Sequence, residues 1–126
     1  MAGDIVTDDG LGIIANRLKA TGINSPSFIA WGTGTTNPVV GNTVLETPSA
    51  EARTDGTETQ QTTDNSNDTY RVVGTITSAG TQAITEVGLF TASSGGEMLV
   101  RSTFAAINLT LNDSITFTLN VDFDNS

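Results

Sequence analysis

The chain predicts a mainly β fold: an antiparallel β-sandwich or jelly-roll-like barrel with one short N-terminal helix, in a single domain over 1–126. Three observations predict it. Ile115, Phe117, Leu119, Val121 and Phe123 alternate with Thr116, Thr118, Asn120 and Asp122, a period of two that buries one strand face and wets the other. Short apolar runs recur at intervals of roughly ten residues, separated by Gly, Asn, Asp and Ser turns. Helical spacing occurs in one stretch only, residues 8–20. A chain of 126 residues is long enough to build one core without disulfides or metal.

Residues 1–7 read as an N-terminal arm. The helix over 8–20 is expected to be capped by Asp8 or Asp9, whose short carboxylates accept the free amides of a first turn. Leu11, Ile14 and Leu18 recur at helical spacing, Ile13 widens the stripe, and Thr21-Gly22 supplies a stop. Gly10 and Gly12 weaken the first turn and shorten the helix. Packing of the stripe across its own sheet is favoured over binding a partner.

Phe28–Trp31 then reads as a strand entering the glycine-rich loop Gly32-Thr33-Gly34-Thr35-Thr36-Asn37-Pro38. A Gly-x-Gly after a strand can cradle phosphate, but the third glycine, the lysine and the following helix are missing here. Val39, Val40, Val44 and Leu45 provide anchors around turns, and Pro48 ends the passage. Residues 51–69 form a polar exposed tract, with a strand around 52–62, a turn near Asp64–Asn67 and a return strand from Thr69. Asp64-Asn65-Ser66-Asn67-Asp68 is similar to a calcium loop, yet Thr69 stands where its glycine belongs and Thr75 where its last acid belongs. The turn is the better reading.

Tyr70, Val72, Gly74 and Ile76 alternate with polar or small neighbours, and Ser78-Ala79-Gly80-Thr81 makes a turn. Residues 83–92 and 97–104 form a hairpin about Ser93-Ser94-Gly95-Gly96. That register sets Glu86 and Arg101 on one face, diagonal across the pair, which satisfies a charge placed mid-strand. Ile107, Leu109 and Leu111 lead to a turn at Asn112-Asp113 before the final strand at 114–123.

Composition narrows the function. Without cysteine or histidine there is no thiol nucleophile, no thiolate metal site and no imidazole base. The remaining carboxylates form no convincing acid–base pair, so no enzyme activity, catalytic residue, cofactor or metal is expected. Fourteen acids against five bases give a net charge of −9. Such a surface repels nucleic acid and anionic membranes. It supports solubility, and on a sharper reading it keeps free copies apart until they dock. No apolar run approaches the roughly 18 residues of a membrane span, and Met1-Ala2-Gly3-Asp4 does not open a signal peptide. Asn67-Asp68-Thr69, Asn108-Leu109-Thr110 and Asn112-Asp113-Ser114 are chance glycosylation matches in a chain rich in Thr and Asn.

Two groups of residues carry a resemblance. One is Trp31-Gly32-Thr33-Gly34-Thr35-Thr36 with Pro38, Gly41, Leu45-Glu46 and Arg53. The other is Ile84-Thr85-Glu86-Val87-Gly88-Leu89-Phe90 with Met98-Leu99-Val100-Arg101, Phe104 and Ile107-Asn108. In order and spacing, from about residue 9 to residue 123, these resemble small virion structural proteins of tailed bacteriophages. Some of those proteins decorate capsids, and related patterns open tail-fibre and baseplate proteins. The resemblance implies a capsid decoration, or cement, protein that clamps capsomer junctions on the outer surface of the head. Its partner would be the major capsid protein, with assembly in the host cytoplasm as a dimer or trimer.

A fibre protein would continue into a repetitive shaft, whereas this sequence stops at Ser126, so decoration is favoured over a tail or baseplate adaptor. The expected contact elements are the 1–7 arm, the 32–41 loop and the 51–69 tract. Trp31, Gly32, Gly34, Glu86, Gly88, Phe90 and Arg101 are expected to hold the hairpin together rather than touch a ligand. A glycan-binding module is a further alternative, and it would need exposed aromatics such as Trp31.

Overall fold

The computed structural model describes residues 4–19 and 24–123. Eight strands and one helix follow in order: β1 (Asp4–Val6), α1 (Asp8–Lys19), β2 (Phe28–Gly32), β3 (Thr54–Asp55), β4 (Thr57–Gln61), β5 (Thr69–Thr77), β6 (Gln82–Phe90), β7 (Met98–Leu109) and β8 (Ser114–Asp122). They divide into a five-stranded sheet, β1-β7-β6-β2-β3, and a three-stranded sheet, β4-β5-β8, with every pairing antiparallel. The fold is therefore the expected mainly β one with a short N-terminal helix, and its strands form two sheets rather than one closed barrel.

One core lies between the sheets. Ile29, Trp31, Ile84, Val87, Leu89 and Leu99 from the larger sheet meet Val72, Ile76, Phe117 and Val121 from the smaller one, and α1 adds Ile13. The Trp31 and Phe117 rings cross edge to face between the sheets, 6.3 Å between centroids. The alternation of β8 works as predicted, with Phe117 and Val121 pointing into this core.

The expected strand at 52–62 is broken at Gly56. Its first part, β3, pairs with β2, while its second part, β4, pairs with β5 in the other sheet. A Cβ at Gly56 would lie 2.5 Å from Val72 Cγ1, so only glycine lets the chain cross tightly over β5. The hairpin turn behaves as expected, with Gly95 and Gly96 at φ 61° and 71°. Asn67 and Asn112 also take positive φ, in the two turns expected for them.

Three expectations at the N-terminal end need correction. The arm is not loose over 4–7, because Asp4–Val6 pairs with Val100–Ser102 of β7. The cap of α1 is Thr7 rather than Asp8 or Asp9: its buried hydroxyl accepts from Gly10 N at 3.0 Å and donates to Met98 O at 2.6 Å. Asp8 and Asp9 sit in the first turn, where they face the positive end of the helix dipole. The buried stripe is centred on Ile13 and not on Leu11, which is 61 % exposed. A Cβ on Gly10 would come within 2.7 Å of Leu99 O, so the glycine that weakens the first turn is what seats the helix on β7. The Thr21-Gly22 stop and the Leu18 side chain lie outside the described residues.

Candidate functional site

Trp31 lies in the main core, and the other motif residues converge on the face of the five-stranded sheet that turns away from it. Strand periodicity puts Glu86, Gly88 and Phe90 on this face of β6, with Phe28 and Ala30 beside them on β2. The loop 33–48 folds over them. Leu45, Phe90 and Met98 form a second buried cluster beneath it, flanked by Phe28 and Ala30. A Cβ on Gly88 would stand 2.9 Å from both Leu45 Cδ2 and a Phe90 ring carbon, so Gly88 is the slot that admits Leu45.

Glu86 is the hub of this arrangement. Its carboxylate is fully buried and accepts four hydrogen bonds, from Gly34 N (2.8 Å), Thr47 N (2.8 Å), Glu46 N (3.0 Å) and Arg101 Nε (3.0 Å). A buried carboxylate is tolerable only when its lone pairs are filled and its charge is matched, and both conditions hold. Glu86 and Arg101 are diagonal across β6 and β7, as the register predicts: Gly88 faces Arg101 and Glu86 faces Thr103. The pairing shifts register between Ile84 and Glu86, and Thr85 also reaches the loop, donating to Gly34 O at 2.7 Å. The Gly-x-Gly of residues 32–34 does cradle an anion, but the anion is this chain's own Glu86. Cβ atoms on Gly32 and Gly34 would lie 2.7 and 2.5 Å from Glu86 Oε2.

Further side chains complete the frame: Glu46 and Arg53 belong to the resemblance, Glu51 and Arg53 to the tract expected to be an exposed contact element, and Asn42 is not singled out by the sequence. Asn42 Oδ1 accepts from Arg101 Nη1 (3.2 Å) and from Val39 N (3.0 Å). Glu46 accepts from the Thr36 hydroxyl at 2.6 Å and from the amides of Thr36 and Thr35, which together hold its carboxyl below the usual range. Glu51 receives Trp31 Nε1 (2.9 Å), Ala79 N (2.9 Å) and Gln82 Nε2 (2.7 Å). Burial pushes the Glu51 carboxyl up, but these bonds outweigh it and leave it below its ordinary value. Arg53 stacks 3.6 Å over the Phe90 ring and donates to Ala92 O and Gly95 O. Their partners leave no local signal, since Asn42 is uncharged and Glu46, Glu51 and Arg53 meet groups ten or more residues away in the chain.

The loop is thus fixed from below and open above. Val39, Val40 and Val44 are each at least half exposed, and Asp8 N donates to Val40 O at 2.7 Å, which joins this surface to the start of α1 near exposed Leu11. Trp31 is only 1 % exposed, so it offers no stacking platform for a sugar; among the described aromatics Phe123 alone is exposed.

Elsewhere, Asp64, Asp68 and Asp122 bring carboxylate oxygens within 4.8 Å of one another. Asp68 already accepts from Asn65, Thr63 and Asp64 amides and from the Thr69 hydroxyl, which pull its pKa down to about 2. These bonds shape the turn. Among the described residues no helix is long and apolar enough to cross a membrane.

No protein-family model, curated protein or solved structure matches this chain.

Proposed function

We propose that this chain is a bacteriophage virion structural protein, a decoration protein that docks on the outside of the head and stabilises capsomer junctions. The reading starts from the resemblance of the Trp31–Thr36 and Ile84–Arg101 segments to such proteins. The observation that supports it is the 33–48 loop, which is anchored on a buried ion pair while displaying Val39, Val40 and Val44 to solvent. A loop held in one shape loses little further entropy on docking, and exposed apolar side chains supply the contact energy. The net charge of −9 keeps unbound copies soluble despite that patch. The polar 51–69 tract supplies a second contact element in the part that remains exposed, Thr57–Gln60 and the following turn. Residues 4–7 are no longer a candidate arm, since they form an edge strand and a helix cap.

The test is co-sedimentation with heads lacking this protein. Val39→Ser, Val40→Ser and Val44→Ser combined should leave the fold intact and lower occupancy at least about tenfold, because apolar burial contributes about 25 cal/mol per Å². Undiminished occupancy would sink the loop as the docking surface. Immunogold label over the tail instead of the head would select the tail or baseplate adaptor.

A further inference from the structure

The two sheets have four edge strands, and three of them are guarded. β1 has three residues, β3 has two, and β4 has five with Glu58 near its centre. Short length and charge are how sheets avoid pairing with other chains. β8 has neither defence. It presents nine residues in unbroken register with β5, contains no proline or lysine, and carries no charge before Asp122. Its side-chain hydrogen bonds run toward β5, through Thr116 to Thr75, Asn120 to Arg71 and Asp122 to Thr69. Among the described residues nothing pairs with its outer edge. Ile115 and Leu119 face inward with Phe117 and Val121 yet stay partly exposed, and a groove of about 260 Å³ runs along Thr118–Asp122 beside β1.

The geometry points to an interface between two copies of this chain, in which β8 pairs antiparallel with β8 of the second copy about a two-fold axis at Thr118. β8 is self-complementary about that point. Ile115 falls opposite Val121 and Phe117 opposite Leu119 on the inner face, while Thr116 meets Asn120 and Thr118 meets its own copy on the outer face. Asp122 meets Ser114, so the one carboxylate on the strand never faces itself. An axis one residue to either side, at Phe117 or Leu119, keeps apolar against apolar but pairs seven residues of β8 instead of nine, and an axis midway between two residues sets apolar against polar. The two three-stranded sheets become one continuous sheet with β4 at both outer edges, and the unguarded edge disappears. This deepens the oligomeric part of the reading above, but it is tested on free protein and stands or falls without any capsid.

The chain has no cysteine, so single thiols report the register directly. Thr118→Cys should form a disulfide-linked dimer under mild oxidation, since opposed Cβ atoms lie about 4.5–5.5 Å apart, whereas Ser114→Cys, which faces Asp122, should not. Thr118 is exposed and makes no side-chain hydrogen bond, and Ser114 is exposed at the strand end with a single hydroxyl bond to Thr77, so both variants should fold. In sedimentation equilibrium, Thr118→Lys and Thr118→Glu should each weaken self-association about threefold or more, and an equimolar mixture of the two should restore it. A wild-type chain that remains monomeric at every concentration, or equal cross-linking of the two cysteine variants, overturns the interface. Cross-linking of Thr118→Cys to a shell protein in place of its own copy also overturns it, and assigns the edge to a foreign strand.

Discussion

Glu86 and Arg101 form an ion pair at 3.0 Å between side chains that are 0 % and 1 % exposed, and the same carboxylate holds three backbone amides of the 33–48 loop. A pair in the interior contributes little net stability when intact, because desolvation opposes attraction. Removing one member is costly, because the other charge is left buried alone.

Glu86→Gln should therefore destabilise the fold by about 3–5 kcal/mol. The loss should be visible in urea denaturation. With the remaining amide oxygen kept toward Arg101 and Glu46 N, hydrogen exchange at the Gly34 and Thr47 amides should accelerate beyond the rest of the chain, because both bond the oxygen that the substitution replaces.

The glycines of the loop should separate by what surrounds them. Gly34→Ala forces a Cβ to within 2.5 Å of Glu86 Oε2 and should cost about 1–3 kcal/mol. Gly41→Ala meets nothing within 4 Å and should be neutral, or stabilising by about 0.4–1 kcal/mol through the unfolded state. Thermal melts of the two variants side by side would check the contrast.

At the helix, Thr7→Ala should cost about 1–2 kcal/mol through loss of the cap. Ile13→Ala should cost about 2–5 kcal/mol, whereas Leu11→Ser should have almost no effect on stability. Equal losses at Ile13 and Leu11 in equilibrium unfolding would contradict the observed helix face.

The 62–68 turn should be acid-sensitive at low pH. Asp68 is depressed from 3.8 to about 2 in the fold, chiefly by the Asn65 and Thr63 amides. A depressed carboxyl binds fewer protons folded than unfolded, so its contribution is complete above about pH 4 and is lost as pH falls through about 2. NMR titration should show the Thr63, Asp64 and Asn65 amides moving together in that window. Asp68→Asn should abolish the transition.

Much of the fold was legible because strands are written in a local code. The alternation at 115–123, the glycines of the 93–96 turn and the diagonal of Glu86 with Arg101 follow from a period of two and from turn chemistry, which need only near neighbours. The break at Gly56 was not legible, since the residues on either side look alike and the clash that decides it comes from Val72. The helix face was misread for the same reason. Leu11 and Ile13 are equally apolar, and only the position of β7 selects Ile13.

The sequence by itself determined a mainly β fold with one short N-terminal helix. It could also name Glu86 and Arg101 as a pair, because strand register converts spacing into proximity. Only the tertiary structure decided what the pair is for. The amides of Gly34, Glu46 and Thr47 reach Glu86 from roughly forty to fifty residues away, and a contact at that separation leaves no periodic trace in the chain. The same holds for the open edge of β8, whose exposure depends on which strands the fold places beside it and which it leaves away.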